Sequence, residues 1–428
     1  MPTEKTSLLV FGINYAPELI GIGPYTAGLA EEMAARGHRV RAVVGQPYYP
    51  SWRVQKRAGR AWQSGTRGGV EVTYCPLYVP RRPTALRRLA HYASFAATAA
   101  LPLARAIMRE KPSAVLAIAP SLAAVPVAAL AAHIAGAPLW LHVQDFEVEM
   151  AFATGMLSAD TRLGRVARNF EKSVLLRGDI VSTISQKMCQ RLDVVGVDRE
   201  RIMELRNWAN HAERIDRADS AEIRREWGLE GKTIALYSGN IAAKQGLEVV
   251  VDAARALSAR RDLVFVICGE GPNREELEAR AEGLGNVVFR PLAKEEQFAE
   301  VMKAADIHLM PQVAGAADLV LPSKLPNMLA SGKPVVATAA AGTGLANEVM
   351  GCGLVVPPGD AAALARAVEK VARDRELAEA LGAEGRRRAG TRWAMDLMAN
   401  RFEKRLGRLV AEQAQMPISD KSEAMPAR

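Results

Sequence analysis

The sequence predicts an α/β protein made of two Rossmann-like halves, each a parallel sheet covered by helices on both faces. Short runs of apolar and β-branched residues without polar alternation recur along the chain, and such runs indicate strands that are buried on both sides. Segments with helical apolar spacing lie between them, and the series begins again near Thr233. At 428 residues, the chain also exceeds the length at which one hydrophobic core usually remains single. These observations together favour two domains of the same class.

The first series contains five predicted strands and a helix with a clear end. The helix covers residues 25–36 and is ended by Gly37. The strands are expected at residues 8–13, 40–44, 70–75, 114–118 and 139–143.

The second series repeats this alternation of strands and helices. Its strands are expected at residues 234–237, 263–268, 287–289, 307–310 and 334–337. Its helices are expected at residues 247–257, 274–282, 294–304, 325–331, 361–373 and 376–388.

A polar stretch at residues 207–219 separates the two series. We therefore predict a first domain over residues 1–212 and a second over residues 213–390. Residues 391–411 are expected to form an amphipathic crossover helix, and residues 412–428 a disordered tail. The apolar face of the crossover helix consists of Met395, Met398, Phe402, Leu406 and Leu409.

The composition narrows the class of protein. A net charge of +9 suits a protein that handles an anionic partner, whether a nucleotide, a membrane surface or a nucleic acid. The aromatic content of 5% argues against a stacking platform for single-stranded nucleic acid. The four cysteines lie far apart without CxxC spacing, so neither a metal cluster nor a disulfide framework is expected. The reducing cytosol is the expected compartment. They are Cys75, Cys189, Cys268 and Cys352.

Neither a signal peptide nor a membrane-spanning helix is expected. The first apolar run, at residues 8–11, is too short for a signal peptide and continues into strand-like sequence. The longest apolar stretch, residues 114–143, is interpreted as strand, buried helix and strand. It is interrupted by Pro120, Pro126, His133, Gly136 and Pro138.

Residues 318–338 carry the strongest local signal for a phosphate site. Ser323 and Lys324 place a hydroxyl and a cation ahead of a short helix at residues 325–331, which Gly332 ends before a buried strand. Helix N-termini bind anions because their first amide groups have no intrahelical partner. The alternative is an ordinary helix-turn-strand unit.

Ligands of such folds bind beyond the carboxyl ends of parallel strands, and other loops fall there too. One contains Gly21 and Gly23, and another, at residues 238–246, follows a strand directly. Thr343 lies in a further glycine-lined strand end. The first loop is not a GxGxxG dinucleotide fingerprint. Pro24-Tyr25-Thr26 follows it where a third glycine is needed, and no acidic residue ends the next strand. An NAD-dependent oxidoreductase is therefore disfavoured.

The strand at residues 139–143 ends in His142-Val143-Gln144-Asp145. Side chains alternate along a strand, so His142 and Gln144 are expected on one face and Asp145 on the other. A histidine in this position is more often packed than catalytic, and Asp145 is the better candidate for ligand contact. No Asp-x-Asp pair or His/Glu cluster indicates a metal site, so developing charge would be met by lysines, amides and helix dipoles.

Taken together, these motifs resemble the retaining glycosyltransferases of family 4, from Asn14 to about Trp393. Within that family the likeness is to WcaI-type transferases of colanic-acid and exopolysaccharide biosynthesis. The segments that carry it include Asn14-Tyr15-Ala16-Pro17-Glu18, Gly21-Ile22-Gly23, Pro47-Tyr48-Tyr49-Pro50, Gln144-Asp145, Asn207-Trp208, Gly239-Asn240, Gly269-Glu270-Gly271-Pro272, Leu321-Pro322-Ser323-Lys324-Leu325 and Ala330-Ser331-Gly332-Lys333-Pro334.

The resemblance implies a GT-B fold, with two parallel sheets facing a central cleft and a C-terminal helix returning to the first domain. It implies a metal-independent, retaining hexosyltransferase without a cofactor, which uses a nucleotide sugar such as GDP-fucose and a saccharide linked to polyprenyl diphosphate. Asp145, Gln144, Lys244 and Lys324 would be catalytic. The donor would be bound by Gly21, Gly23, Gly239, Asn240, Gln245, Gly271, Ser323, Asn327 and Thr343.

The chain departs from the family pattern at several of these positions. Many members have an arginine and a lysine where this sequence has Asn240 and Gln245, with Lys244 one residue early. The family's paired glutamates correspond to Leu319, beside Asp318, and to Asn327, which bonds ribose hydroxyls more weakly than a carboxylate. The N-domain histidine of many members aligns with Gln144. Nucleotide and sugar identity therefore stay open, and a UDP-sugar donor is an alternative.

The segment 81–111 has the pattern of a helix lying on anionic lipid. Its apolar face is predicted to consist of Leu86, Leu89, Ala90, Ala93, Ala97 and Leu101. The basic residues near it are Arg81, Arg82, Arg87, Arg88, Arg105, Arg109 and Lys111, against the single acidic residue Glu110. This predicts a cytoplasmic protein peripheral to the inner face of the membrane, with no nucleic-acid partner. The alternative is an ordinary surface helix whose apolar side packs on its own domain.

Two other functions stay open at this point. One is a nucleotide-sugar-binding protein of GT-B fold without turnover, which the replaced ligands at Asn327 and Gln245 make conceivable. The other is an epimerase or phosphorylase that shares the fold.

Overall fold

The computed structural model describes residues 5–18, 21–49, 52–54, 61–81, 84–153, 157–158, 160–313 and 322–415. The chain forms two compact units, the first from Met1–Arg206 with the chain from Met398 onward, and the second from Asn207–Leu397. Each unit contains its own parallel sheet.

The sheet of the first unit has the strand order β3-β4-β2-β1-β5-β6-β7-β8. Its strands are β1 Ser7–Gly12, β2 Arg39–Gly45, β3 Gln63–Arg67, β4 Val70–Cys75, β5 Ala114–Ala119, β6 Leu139–Val143, β7 Ile180–Thr183 and β8 Ile202–Glu204. All neighbours pair in parallel except β3, which is antiparallel to β4. The helices are α1 Gly23–Ala35, α2 Ala85–Glu110, α3 Val125–Ala135, α4 Glu147–Ala153, α5 Arg162–Leu175 and α6 Gln186–Val195.

The sheet of the second unit is parallel throughout, in the order β11-β10-β9-β12-β13-β14. Its strands are β9 Thr233–Ser238, β10 Leu263–Cys268, β11 Val287–Arg290, β12 Ile307–Met310, β13 Val335–Thr338 and β14 Gly353–Val356. Its helices are α7 Ala212–Arg217, α8 Ala221–Trp227, α9 Glu248–Ala256, α10 Arg274–Arg280, α11 Phe298–Ala304, α12 Leu325–Ala330, α13 Gly344–Val349, α14 Ala361–Arg373 and α15 Arg375–Arg392.

The predicted fold class is confirmed. Every strand predicted from an apolar run is present, and β5, β6 and β10 are buried along their whole length. In both sheets the strands that follow the first strand lie on one side of it, β2 to β4 beside β1 and β10 to β11 beside β9. The next strand, β5 or β12, pairs with the opposite edge of that first strand. The first strand of each unit therefore borders a topological switch point, where ligands of such sheets bind.

The boundary between the units lies at Arg206/Asn207, six residues before the predicted 212/213. The polar stretch looked like a linker, but its beginning is held within the second unit. Trp208 is buried, and the Ala209 N–H donates to the Trp393 carbonyl at 2.9 Å.

The C-terminal helix α16 spans Met395–Gln415 and joins the first unit from Met398. Four of the five residues of its predicted apolar face, Met398, Phe402, Leu406 and Leu409, are buried in this unit, whereas Met395 is half-buried and lies in the second unit. Phe402 packs on Trp140 of β6, with ring centres 4.5 Å apart. Glu403 pairs with Arg36 at 2.9 Å. Residues 412–415, predicted as part of a disordered tail, are helical, and residues 416–428 lie outside the described residues.

None of the helices in the described parts of the chain combines the length and the apolarity needed to cross a membrane.

Candidate active site

In the second unit, Lys324 lies against the strand end at the switch point. Its Nζ donates to the Tyr237 hydroxyl at 2.7 Å and lies 4.1 Å from the centre of the Tyr237 ring. Tyr237, near the end of β9, donates in turn to the Asn240 carbonyl at 2.6 Å. Burial raises the pKa of Tyr237, so the phenol stays neutral and leaves the lysine charge uncompensated by it.

Gly239 makes this arrangement possible. Its φ is +144°, and a Cβ built there would lie 2.4 Å from Lys324 Nζ. Any side chain at this position would displace the lysine and block approach to the backbone. Lys324 and Gly239, which were predicted separately as a catalytic and a donor-binding residue, are thus neighbours.

The loop after β10 packs tightly against the loop after β9. A Cβ at Gly271 would lie 2.0 Å from the Ile241 carbonyl oxygen and 2.8 Å from Asn240 Oδ1, and φ at Gly271 is +158°. The Ile241 N–H donates to the Glu270 carbonyl at 2.9 Å. Gly271, a predicted donor-binding residue, therefore holds the loop that carries Asn240 close to its neighbour.

Asn327 is buried in a local network rather than open at a surface. Its Nδ2 donates to Asn210 Oδ1 at 2.8 Å, and its Oδ1 accepts from the His211 N–H at 3.2 Å. The side chain thus holds residues 210–211 against α12. Ribose binding by Asn327 stays a prediction, and it would have to use the remaining N–H and lone pair.

The remaining predicted site residues of this unit differ in their surroundings. Thr343 is the N-cap of α13, since its hydroxyl accepts from the Ala346 N–H and donates to the Ala340 carbonyl at 2.8 Å. Ser323 is exposed, and Gln245 has a buried Oε1 without a hydrogen-bond partner among the described residues. Lys244 lies in the 3-10 turn Ala243–Gln245, and its side chain lies outside what the structure describes, as do Asp318 and Leu319.

In the first unit, the end of β6 has the predicted alternation. His142 and Gln144 share a face, with Nε2 atoms 3.0 Å apart, and Ser182 Oγ lies 2.8 Å from His142 Nδ1. Ser182 also accepts from Trp140 Nε1 at 2.7 Å. Burial lowers the pKa of His142 to about 4, so the imidazole is neutral near pH 7 and acts in packing. Gln144 is 4% exposed, and the hydrogen bonds that run from Trp140 through Ser182 and His142 hold its side chain in place.

The charge of Asp145 acts on Tyr49, a residue that is distant from it in the sequence. Burial raises the pKa of Tyr49, and the charges of Asp145 and Glu18 raise it further. Tyr49 also covers Gly21, where a Cβ would lie 3.0 Å from its ring and φ is +80°. Tyr49 and Gly21 are therefore in contact, and the charge of Asp145 acts on Tyr49.

Glu18 organises this edge, and it was not among the predicted site residues. One carboxylate oxygen accepts from the backbone N–H groups of Tyr48 and Tyr49, each at 3.1 Å, and the other accepts from Asn14 at 2.9 Å. A Cβ at Gly23 would lie 2.9 Å from the Glu18 side chain, so Gly23 makes room for it. The available signal was the presence of both segments, residues 14–18 and 47–50, in the motif set of the resemblance.

Among the described residues, no group of three or more His, Cys, Asp or Glu side chains could hold a metal ion.

Comparison with known proteins decides the family. Residues 21–208 match the model described as Glycosyl transferase 4-like domain, and residues 219–388 match Glycosyl transferases group 1. The chain is 42% identical over 348 residues to the colanic acid biosynthesis glycosyl transferase WcaI of Escherichia coli K12, covering 79% of this chain and 84% of that protein. The chain belongs to family 4 of the glycosyltransferases, with WcaI as a relative.

Solved glycosyltransferases share the GT-B fold of this enzyme. Sucrose-phosphate synthase from Thermosynechococcus elongatus aligns with a TM-score of 0.74 at 18% identity, over 95% of this chain and all of that one. HepE of Anabaena, in complex with UDP-glucose, aligns with a TM-score of 0.67 at 16% identity, over 94% of this chain and all of that one.

Within this glycosyltransferase, two sets of predicted residues are each brought together. Gly239, Asn240, Gly271 and Lys324 meet at the switch point of the second unit. Gly21 and Gly23 meet in the first unit through Tyr49 and Glu18, and the charge of Asp145 acts on Tyr49. Asn327 and Thr343 instead have structural partners.

Proposed function

We propose that this protein transfers a sugar, with retention of configuration, from a nucleotide-sugar donor to a saccharide on polyprenyl diphosphate in exopolysaccharide biosynthesis. The identity with WcaI supports the biosynthetic role, since that relative is named for colanic acid. GDP-fucose is the first donor to test, and a UDP-sugar is the second, because HepE was solved with UDP-glucose.

The observation that carries the proposal is the ammonium group of Lys324 beside Gly239 at the switch point of the second unit. A departing nucleoside diphosphate gains negative charge, and a cation held beside exposed backbone stabilises it in place. Removing one such donor typically raises the barrier by about 3–4 kcal/mol. Lys244, in the loop that follows Gly239, would supply a second cation.

Asp145 and Gln144 would orient the reacting sugar from the first unit. Gln144 is fixed by His142, while the charge of the Asp145 carboxylate acts on Tyr49, whose ring covers Gly21. No metal is part of the proposal, so turnover should be unchanged by EDTA.

The surface of the first unit supports peripheral attachment to anionic lipid. The predicted apolar face of α2 is exposed, and a different face, formed by Phe95, Ala99 and Leu103, packs on the domain. Leu86 and Leu89 are 77% and 56% exposed. Glu110, the acidic residue of this helix, is paired with Arg41. This geometry argues against the alternative of a helix packed through that face.

Other helices of this unit also carry exposed apolar side chains. Fourteen large apolar side chains of the described residues are exposed, and nine of them lie on α2, α3 and α5. The three on α5 are Leu163, Val166 and Phe170, and exposed bases flank them. We propose that this face lies on the cytoplasmic surface of the membrane, where a lipid-linked acceptor would be found.

A thermal-shift panel with GDP, UDP, ADP, dTDP and NAD tests the donor site. A ligand at 100 times its dissociation constant adds about 2.7 kcal/mol to the stability of the unit that binds it. A shift with GDP alone would support GDP-fucose, and one with UDP alone would move the donor to a UDP-sugar. Stabilisation by NAD alone would overturn the proposal.

Product formation separates the enzyme from a GT-B protein that binds without turnover. The assay would use the radiolabelled sugar of the selected nucleotide with membrane extract as the source of acceptor. Label in the lipid-linked fraction supports transfer. Donor binding without any transferred label would favour the binding protein.

A further inference from the structure

Arg88 in the first turns of α2 differs from the other basic residues of that helix. Arg87 is exposed, whereas Arg88 is half-buried, with its guanidinium carbon 5.5 Å from the centre of the Trp52 ring. Trp52 has a φ of +50°, a left-handed conformation that is strained for a bulky residue. Strain of this kind persists where the surrounding structure holds a side chain in a required place.

Aromatic rings surround Trp52 on the protein side. Its ring centre lies 5.4 Å from that of Tyr48 and 5.6 Å from that of His91. His91 is fully buried, and its Nδ1 donates to the Tyr78 carbonyl. Burial lowers the pKa of His91, so it adds no charge near pH 7. The cluster therefore presents one cation, Arg88, on a rigid aromatic support.

Two carboxylates near this cluster, those of Glu18 and Glu147, already accept hydrogen bonds. Glu18 accepts from Asn14 and from two backbone N–H groups, and Glu147 accepts from the N–H groups of Ser121 and Leu122, each at 2.9 Å. Among the described residues, Arg88 forms no ion pair with a carboxylate, and its Nε is buried without a hydrogen-bond partner. An uncompensated guanidinium is costly to desolvate, and its planar fork fits phosphate or carboxylate.

The cluster lies at the edge of the sheet where the first-unit site residues meet. Tyr48 of the cluster and its neighbour Tyr49, whose ring covers Gly21, both donate their backbone N–H groups to Glu18, so the aromatic support of Arg88 is joined to the segment that contacts the first-unit site residues. We propose that Arg88, supported by Trp52, binds an anionic phosphate or diphosphate group that the acceptor carries next to its accepting sugar. This inference rests on the proposed function and adds the residue that recognises the acceptor. In this assignment Arg88 binds the acceptor and is not one of the basic residues that face the membrane, although the sequence pattern predicted that it is.

The test measures binding of inorganic pyrophosphate by calorimetry, with the full chain carrying Lys324→Ala so that the second-unit cation does not contribute. Arg88→Gln should weaken binding at least tenfold, because one bidentate charged pair is lost. Arg88→Lys keeps the charge, so its affinity for pyrophosphate should lie between those of the parent and Arg88→Gln. Such an intermediate affinity shows that the loss in Arg88→Gln does not come from misfolding. Arg177→Gln removes an exposed first-unit cation and should bind as the parent does. Parent-like binding in Arg88→Gln, or no pyrophosphate binding in the parent, would overturn the inference.

Vesicle sedimentation distinguishes the acceptor phosphate from a lipid headgroup. With phosphatidylglycerol vesicles, Arg88→Gln should sediment as the wild type does, whereas Arg87→Gln should sediment less. Equal losses in both variants would place Arg88 in the membrane surface and reject the acceptor role. The nucleotide thermal-shift panel is independent of both readouts. A chain that binds no nucleotide but loses pyrophosphate affinity with Arg88→Gln would reject the proposed function and leave the anion site standing.

Discussion

The Lys324 ammonium group donates to the Tyr237 hydroxyl at 2.7 Å, and the same hydroxyl donates to the carbonyl of Asn240. One phenol thus links the cation, the strand end and the loop after it. The position of the charge is set by tertiary contact between residues 87 positions apart in the chain.

Replacement of Lys324 by alanine should lower kcat by about 10²–10³, because one preorganised donor to the leaving phosphate is lost. Tyr237→Phe keeps the ring below the lysine and removes the hydroxyl, so a smaller loss, on the order of tenfold, is expected. Steady-state kinetics with the donor identified by thermal shift would measure both. Lys324→Ala turnover within a few-fold of wild type would reject the role of this residue.

Gly239→Ala should weaken nucleotide binding by roughly tenfold or more, since its Cβ would lie 2.4 Å from Lys324 Nζ and the lysine must move. Gly283→Ala is a matched control: its φ is +80°, but no atom lies within 4 Å of the added Cβ. Both variants should lose about 1–2 kcal/mol of stability through backbone strain. Equal nucleotide affinity in the two variants would mean that displacement of the lysine is unimportant.

Glu18→Ala should destabilise the first unit by about 3 kcal/mol, because two backbone N–H groups and the Asn14 amide lose their acceptor. Glu18→Gln keeps one oxygen for the two N–H groups and should cost clearly less. Urea unfolding measures the difference, with Glu200→Ala as an exposed control that should change stability by less than about 0.5 kcal/mol. Similar stabilities for all three variants would show that Glu18 does not hold the loops together.

The fold followed from the sequence because strands of a parallel sheet are buried on both faces and read as continuous apolar runs. The strand β3 escaped this signal, since all five of its residues are exposed and only pairing with β4 defines it. The strands β7, β8 and β14 were also absent from the prediction.

The site was predicted only in part because motifs identify positions but not contacts. The helical wheel grouped Arg88 with Arg87, while the structure turns Arg88 onto Trp52. Asn327 matched a ligand position of the family, yet its amide holds Asn210 and the backbone of residue 211. Both outcomes depend on contacts with residues distant in sequence, which periodicity does not encode.

Glu171 of α5 should make the first unit less stable as the pH rises. Burial raises its pKa from the ordinary 4.5 to about 7, and one carboxyl oxygen has no hydrogen-bond partner among the described residues. Below pH 4.5 the group is protonated in both folded and unfolded chains. Between that pH and about 7 the unfolded chain ionises first, so up to about 3 kcal/mol of stability is lost.

Glu171→Gln removes this titration. It should therefore raise Tm relative to the wild type at pH 8 and have a much smaller effect at pH 4.5. Thermal unfolding at the two pH values is the measurement. A Tm difference between variant and wild type that is the same at both pH values would contradict a raised pKa at this position.

Leu86→Gln with Leu89→Gln should reduce binding to anionic vesicles without unfolding the protein, since both side chains are more than half exposed. Apolar side chains contribute roughly 1.5–3 kcal/mol when fully buried, so the double variant should partition at least about tenfold less well. Met350→Gln removes an equally exposed apolar side chain from the second unit and should sediment as the wild type does. High salt should release the wild type because the flanking arginines act by screened attraction. Wild-type protein that stays in the supernatant at low salt would reject the attachment of α2 to anionic lipid.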